Sequence, residues 1–220
     1  MNHILTANVA NNLYWLGRHL ERVEATLLEI NKIYDLIIDV DFDAGKEFYT
    51  KIGLNIEYKN ASDFLQKSIL GTHEGNLNQI LSYAKENAVI SRSYIELEAF
   101  GSIIQLAMLF EEKSKEDFTV DFIFIDEVLS LISEIWGELT RKLKRNVNDY
   151  FLILGKNVEK VDFHLRLGKN KDYAMVIMEE VDTIVSILAP EATFTPHDAS
   201  EPASVILESM NNKIHKIIEF

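Results

Sequence analysis

N-L-Y-W-L-G-R-H-L-E-R-V-E-A-T-L-L-E-I, from Asn12 to Ile30, is the stretch that decides the fold. Leu13, Leu16, Leu20, Val23, Leu27 and Ile30 alternate by three and four residues, which aligns them on one stripe of an α-helix with a coiled-coil-like seam. A second row, Gly17, Glu21, Glu24 and Leu28, sets two carboxylates beside a glycine along the edge of that buried face. Glycine inside a helix costs about 1 kcal/mol relative to alanine. The close approach of another helix is the usual reason to keep it.

The pattern returns at Tyr150–Leu167 as Y-F-L-I-L-G-K-N-V-E-K-V-D-F-H-L-R-L. Laying Gly155 on Gly17 pairs Leu154 with Leu16, Lys156 with Arg18 and Val158 with Leu20. The same register pairs Glu159 with Glu21, Lys160 with Arg22, Val161 with Val23, Asp162 with Glu24 and Leu165 with Leu27. Any two amphipathic helices share leucines, but seldom the glycine and the Glu-basic step as well. The recurrence predicts an internal duplication, with Gly17 and Gly155 meeting at a close helix crossing on a pseudo-two-fold axis.

Composition narrows the class. Of 220 residues, 47% are hydrophobic and 26% charged, enough to bury a core as a single domain with internal halves of about 1–115 and 118–220. Only 3 prolines and 9 glycines point to long helices. Lys+Arg 22 against Asp+Glu 35 leaves a net charge of −13, which repels nucleic acid and anionic membrane. There is no cysteine, so thiol chemistry and Cys-ligated metals are excluded and a reducing cytoplasm fits. The opening M-N-H-I-L-T-A-N-V-A does not resemble a signal peptide, and no apolar run approaches the ~20 residues needed to span a bilayer.

Taken in order, the first helix is expected to be capped by Thr6 or Asn8 and to run to about Asp35. Shorter helices follow at Lys46–Ile52 and Ala61–Leu70, the second starting at Ser62-Asp63, and one long helical region from Leu77 to about Phe110. Glu111–Asp117 reads as a charged break between the halves. The spacing predicts a helix from Val120 to about Arg145, whose R-K-L-K-R end at Arg141–Arg145 places positive charge in its last turn. After the second motif come a helix from about Tyr173 to Leu188, a loop holding Pro190, Pro196 and Pro202, and a last helix at Ala203–Ile218. A weaker echo relates the approach to Leu77 with the approach to Ala203. Every long element is helical, so the expected fold is an all-α helical bundle.

Asn12–Glu24 resembles the opening signature of the bacterial alpha-E domain family. Ala84-Lys85-Glu86-Asn87-Ala88, followed by Arg92, Glu98 and Phe100, is similar to the family's A-R-E-N-A-R…R…E-x-W segment. Tyr150–Asp162 resembles its second motif, F-L-x-L-G-R-x-L-E-R-A-D, and Glu201–Val205 a late P-R-S-V element. The chain departs from the pattern at Val89, Tyr94, Lys160 and Ala203, where the family carries arginine. The resemblance implies a genomic association with an ATP-grasp protein and a transglutaminase-like protein. It also implies a system that ligates or tags small peptides, in which this domain is a non-catalytic partner of the ligase or a binder of its peptide or amino-acid substrate.

The candidate site residues are those of the two motifs, Arg18, Glu21, Arg22, Glu24, Lys156, Glu159, Lys160 and Asp162, together with Glu86, Arg92 and Glu98. In the simplest reading Glu21 and Glu159 pair across the crossing with Arg18, Arg22, Arg92, Lys156 or Lys160, because half-buried charges must be paired. The same groups can also bind the amine and carboxylate ends of a peptide. The alternative is an enzyme or metal-binding bundle built on the Glu21 and Glu159 carboxylates. Di-metal bundles use a Glu-x-x-His step, and none of the histidines has a Glu three residues before it, so neither metal nor cofactor is expected. Arg92 with Glu96 forms an i,i+4 pair, and Trp15 and Trp136 are core or interface aromatics. No G-x-S-x-G, no glycine-rich phosphate loop and no His/Asp/Ser arrangement suggesting a hydrolase is present. A homo-oligomer remains open.

Overall fold

The computed structural model describes residues 6–115, 118–141, 145–192 and 197–218. Nine helices and no strand are found among them. The first, α1 (Ala7–Asp39), is 33 residues long and begins at Thr6, whose side chain accepts a hydrogen bond from Val9 N at 3.3 Å. All six seam residues from Leu13 to Ile30 are buried, while Leu28 at the end of the second row is exposed. The helix continues four residues beyond the expected end at Asp35, because Ile37 is still buried against the core.

Next come α2 (Ala44–Lys51), α3 (Ala61–Leu70), α4 (Leu77–Ser91) and α5 (Leu97–Lys115). The start of α3 is not set by Ser62. Asn60 caps it, accepting from Asp63 N at 2.9 Å while Asp63 Oδ2 accepts from Lys59 N at 2.8 Å. The single helix expected from Leu77 to Phe110 is two helices. The chain leaves the first at Arg92, where Tyr94 N turns back to Ser91 O at 2.8 Å, and Ser91, Arg92, Ser93 and Tyr94 are a run of mostly weak helix formers. Arg92 and Glu96 therefore lie across a break rather than one turn apart on a helix. Where a charged break is expected at Glu111–Asp117, residues 111–115 are instead the end of α5, which carries Lys113 and Lys115 in its last turn where the helix dipole favours them, and residues 116 and 117 lie outside the described part of the chain.

α6 (Phe122–Thr140) stops before the basic run. Arg141 follows its last residue, so the run does not occupy its last turn, and residues 142–144 lie outside the described part of the chain. Gln66 of α3 holds the approach to α6, donating to Phe118 O at 3.1 Å and accepting from Val120 N at 2.9 Å. α7 (Val147–Arg166) carries the second motif and is followed by α8 (Lys171–Leu188) and α9 (Ala203–Ile218). Pro196 also lies outside the described residues.

α1 and α7 form the axis of the molecule and run parallel, Gly17 lying beside Leu152–Lys156 and Glu29 beside Lys169. Parallel neighbours need a long crossover, and α2 to α6 supply it. These five helices share one apolar core with Leu16–Ile37 of α1, on which α2, α3, α4 and α6 pack directly and to which Leu152, Phe163 and Leu167 of the α7 region also contribute. A second core forms where Ala10, Leu13 and Tyr14 of α1 meet α7, α8 and α9. α6 packs along α5 and belongs to the first core.

Where α1 and α7 cross, their backbones touch. A Cβ on Gly17 would strike the carbonyl oxygen of Leu152 and lie 3.0 Å from Lys156 N. A Cβ on Gly155 would strike Tyr14 O and lie 3.0 Å from Arg18 N. The contact is reciprocal, each glycine meeting the residue three before and the residue one after the other. By contrast, Gly101 in α5 and Gly137 in α6 have open space around the Cβ position.

Gly155→Ala should therefore lower stability by about 3 kcal/mol or more through overpacking of backbone on backbone. Gly101→Ala should raise it by about 0.5–1 kcal/mol, the helix-propensity gain alone. Urea denaturation of the two variants beside the parent checks both signs.

Candidate functional site

The reciprocal crossing carries a reciprocal set of charges. Glu159, one turn beyond Gly155, is buried to 1% exposure. Arg18 Nε donates to its Oε2 at 2.7 Å, and Arg22 forks onto both oxygens, Nε to Oε1 at 2.5 Å and Nη2 to Oε2 at 3.0 Å. Asp162 lies 4.0 Å from Arg18 Nη2 and accepts from Arg166 Nε through both oxygens at 2.9 Å. Burial alone would push the Glu159 carboxyl up, but the two guanidinium groups together hold it below the ordinary range. Burial likewise works against the charge on Arg18, and Glu159 more than restores it.

The equivalent residues build the second cluster with the roles of the helices exchanged. Glu21 of α1 faces Lys160 of α7, 3.9 Å away, and Lys156 also acts on its carboxylate. Lys156 lies over the ring of Trp136 with its Nζ 3.7 Å from the centroid. An ammonium is a compact point charge without the planar fork of a guanidinium, so these lysines do not clamp the carboxylate as the arginines do. Glu21 Oε2 is buried with no hydrogen-bond partner among the described residues. Burial raises the Glu21 carboxyl to about 7 against the opposing pull of Lys160. Glu24 stands half-buried beside it and lines the same cleft as Glu21, Lys156 and Lys160.

Eight of the candidate residues thus come together at the crossing. Glu86, Arg92 and Glu98 do not. Glu86 is exposed on α4, Arg92 ends that helix, and Glu98 is exposed in the first turn of α5. Trp136 is a core residue, as its type predicts. No grouping of three or more His, Cys, Asp or Glu side chains suited to a metal occurs among the described residues.

Sequence reasoning overlooked His19, Asn87 and Arg166. A cleft of about 460 Å³ opens beside the Glu159 cluster, lined by Arg18, His19, Arg22, Tyr83 and Arg166 among others. His19 Nδ1 lies 3.0 Å from Asn87 Oδ1, and Asn87 Nδ2 donates to Asn12 Oδ1 at 2.8 Å. Burial lowers the His19 ring to about 4, the Asn87 bond opposing it, so the imidazole is neutral. Arg166 stands four residues after Asp162, a helical ion-pair spacing that was visible in the sequence. His19 had no such signal, because its partner is on another helix.

A family model for a predicted alpha-helical domain with a conserved ER motif matches residues 5–206. No curated protein and no solved structure matches the chain. No helix among the described residues is long and apolar enough to cross a membrane.

The two glutamates should respond oppositely to substitution. Glu159→Gln takes from the largely buried Arg18 its hydrogen-bonded carboxylate, leaving only the more distant Asp162, and should cost about 3 kcal/mol at neutral pH. Because its folded-state value is depressed, the stability Glu159 confers is present above the ordinary 4.5 and is lost as pH falls through the folded value. Glu21 carries the opposite sign. The folded chain holds its proton up to about 7 and the unfolded chain only to about 4.5, so stability falls as pH rises through that window. Glu21→Gln should remove this slope and gain up to about 3 kcal/mol over the parent at pH 8, with no gain below pH 4.5. Urea denaturation on either side of the window tests both signs.

Proposed function

Because the chain belongs to the Alpha-E family, we propose that it is a non-catalytic helical subunit serving an ATP-grasp ligase, in which it binds or presents the peptide substrate. The transglutaminase-like protein is the further member of this system. The observation that carries the reading is the state of Glu159. Two guanidinium groups occupy both of its oxygens, so it is spoken for as an ion-pair partner and poorly placed to accept a proton or a metal. What remains open toward solvent beside it is a cleft with arginine side chains, His19 and an aromatic ring, features suited to holding a ligand.

We further infer that α1 and α7 descend from an internal duplication, with halves of about 1–115 and 118–220 related by a pseudo-two-fold axis within one domain. The reciprocal glycine contacts and the exchange of Arg18, Arg22 and Glu159 for Lys156, Lys160 and Glu21 support it. The cysteine-free chain suits the cytoplasm of a bacterium.

A second reading, an enzyme that uses Glu21 as acid or base, draws on one observation. That carboxyl titrates near neutrality, and one of its oxygens is unpartnered among the described residues.

Co-purification with the ATP-grasp protein that this reading assigns as its partner, followed by ATP turnover with and without the chain, separates the two readings. A stable complex with altered turnover that survives Glu21→Gln is the expected result. No complex, together with turnover by the isolated chain that Glu21→Gln abolishes, would move the assignment to the enzyme.

A further inference from the structure

The hydrogen-bond chain behind His19 fixes which ring nitrogen carries the proton. Asn12 Nδ2 donates to the backbone oxygen of Asn8 at 2.7 Å. A carbonyl only accepts, so the amide of Asn12 has one orientation. Its Oδ1 then accepts from Asn87 Nδ2 at 2.8 Å, which fixes the second amide in turn. Asn87 Oδ1 is left to accept, so His19 Nδ1, 3.0 Å away, carries the hydrogen. The lone pair therefore sits on Nε2, which meets no donor among the described residues, in a ring that lines the cleft.

The same cleft holds guanidinium edges that the ion pairs do not use. Arg22 commits Nε and Nη2 to Glu159, and Arg166 commits Nε to Asp162. Their remaining Nη groups have no partner among the described residues, and both side chains are partly open, at 35% and 45% exposure. Three guanidinium groups, Arg18, Arg22 and Arg166, face the two carboxylates of Glu159 and Asp162. One positive charge is left unmatched, on a chain whose net charge is −13. The cleft therefore offers donors for a single negative charge and, beside them, an acceptor that asks for an N–H.

The geometry points to this cleft as a receptor for the C-terminal end of a peptide. The terminal carboxylate lies on the unused edges of Arg22 and Arg166, and the last amide N–H donates to His19 Nε2. A guanidinium edge matches a carboxylate in shape as well as charge. Tyr83, whose ring centroid is 5.7 Å from that of His19, supplies an apolar wall for the last side chain. A phosphate dianion would exceed the available charge. This assignment deepens the substrate-binding reading given above and rests on it.

Calorimetric titration of the full chain with N-acetyl-alanyl-alanine tests it, with fluorescence of Trp15, whose ring lies 5.5 Å from that of His19, as a second readout. The C-terminal amide of the same peptide, and the analogue in which an ester oxygen replaces the last N–H, should each bind at least about tenfold more weakly, or 1.4 kcal/mol. Arg166→Gln should weaken the acid about tenfold and leave the amide unchanged. His19→Phe keeps an aromatic ring without the lone pair and should erase the preference for acid over ester. Acid and amide binding alike, or neither binding at millimolar concentration, overturns the assignment. So does displacement of the acid by an equal concentration of inorganic phosphate. Because the titration uses the chain alone, its failure beside an intact complex with the ATP-grasp protein sinks only this inference. Peptide binding without any complex sinks only the subunit reading.

Discussion

Contact between two backbones, at Gly17 and Gly155, is the constraint on which the rest of this molecule depends. With no Cβ on either side, α1 and α7 approach until each glycine meets the other helix's main chain. At that spacing the side chains one turn further along, Glu21 and Glu159, lie between the helices rather than on their outer faces, and both are buried. Burial then makes a basic partner obligatory, and the partners stand at the positions the close approach brings into reach: Arg18 and Arg22 on one helix, Lys156 and Lys160 on the other. The glutamate and the basic residue that follows it do not bond to each other. Each reaches across to the opposite helix, so the Glu-Arg step is an interlock between two chain segments.

The two halves of that interlock are built from different cations, and the difference decides their chemistry. Arginine presents a planar fork to Glu159 and keeps it ionised despite nearly complete burial. Lysine presents a single point of charge, and one of the two available lysines lies over Trp136. Glu21 is left with a buried oxygen that no described residue satisfies, and it titrates near neutrality. The change of cation at both basic positions, Lys156 for Arg18 and Lys160 for Arg22, thus leaves one glutamate fixed and the other titratable.

Most of this was legible in the sequence because the signals were local and repeated. The seam from Leu13 to Ile30, the glycine in each motif and the Glu-basic step gave the two motif helices, their crossing and the eight charged residues that meet there. What was hidden depended on partners far along the chain. The break between α4 and α5 has neither proline nor glycine to mark it, and serines and a tyrosine at the turn signal it only weakly. Glu86, Arg92 and Glu98 shared a motif but not a place, since exposed positions carry no periodicity that ties them to a site. His19 acquired its role from Asn87, sixty-eight residues away. Its lone pair is oriented by two amides whose relation no spacing rule foretells.

The parallel axis has a consequence for synthesis. α1 is made before α2 to α9, yet the surface that covers its glycine face belongs to α7, with the whole crossover from α2 to α6 in between. At translation rates of about 5–20 residues per second, that partner leaves the ribosome on the order of ten seconds later. During the delay α2 to α6 can already cover the lower seam of α1, from Leu16 to Ile37. Ala10, Leu13 and Tyr14 belong to the second core, to which the described residues of the crossover add only Tyr94 and Ile95, and gain the rest of their cover when α7, α8 and α9 arrive. The N-terminal end of α1 therefore waits longest for its full cover, and it is the place where a holding chaperone would have something to grip.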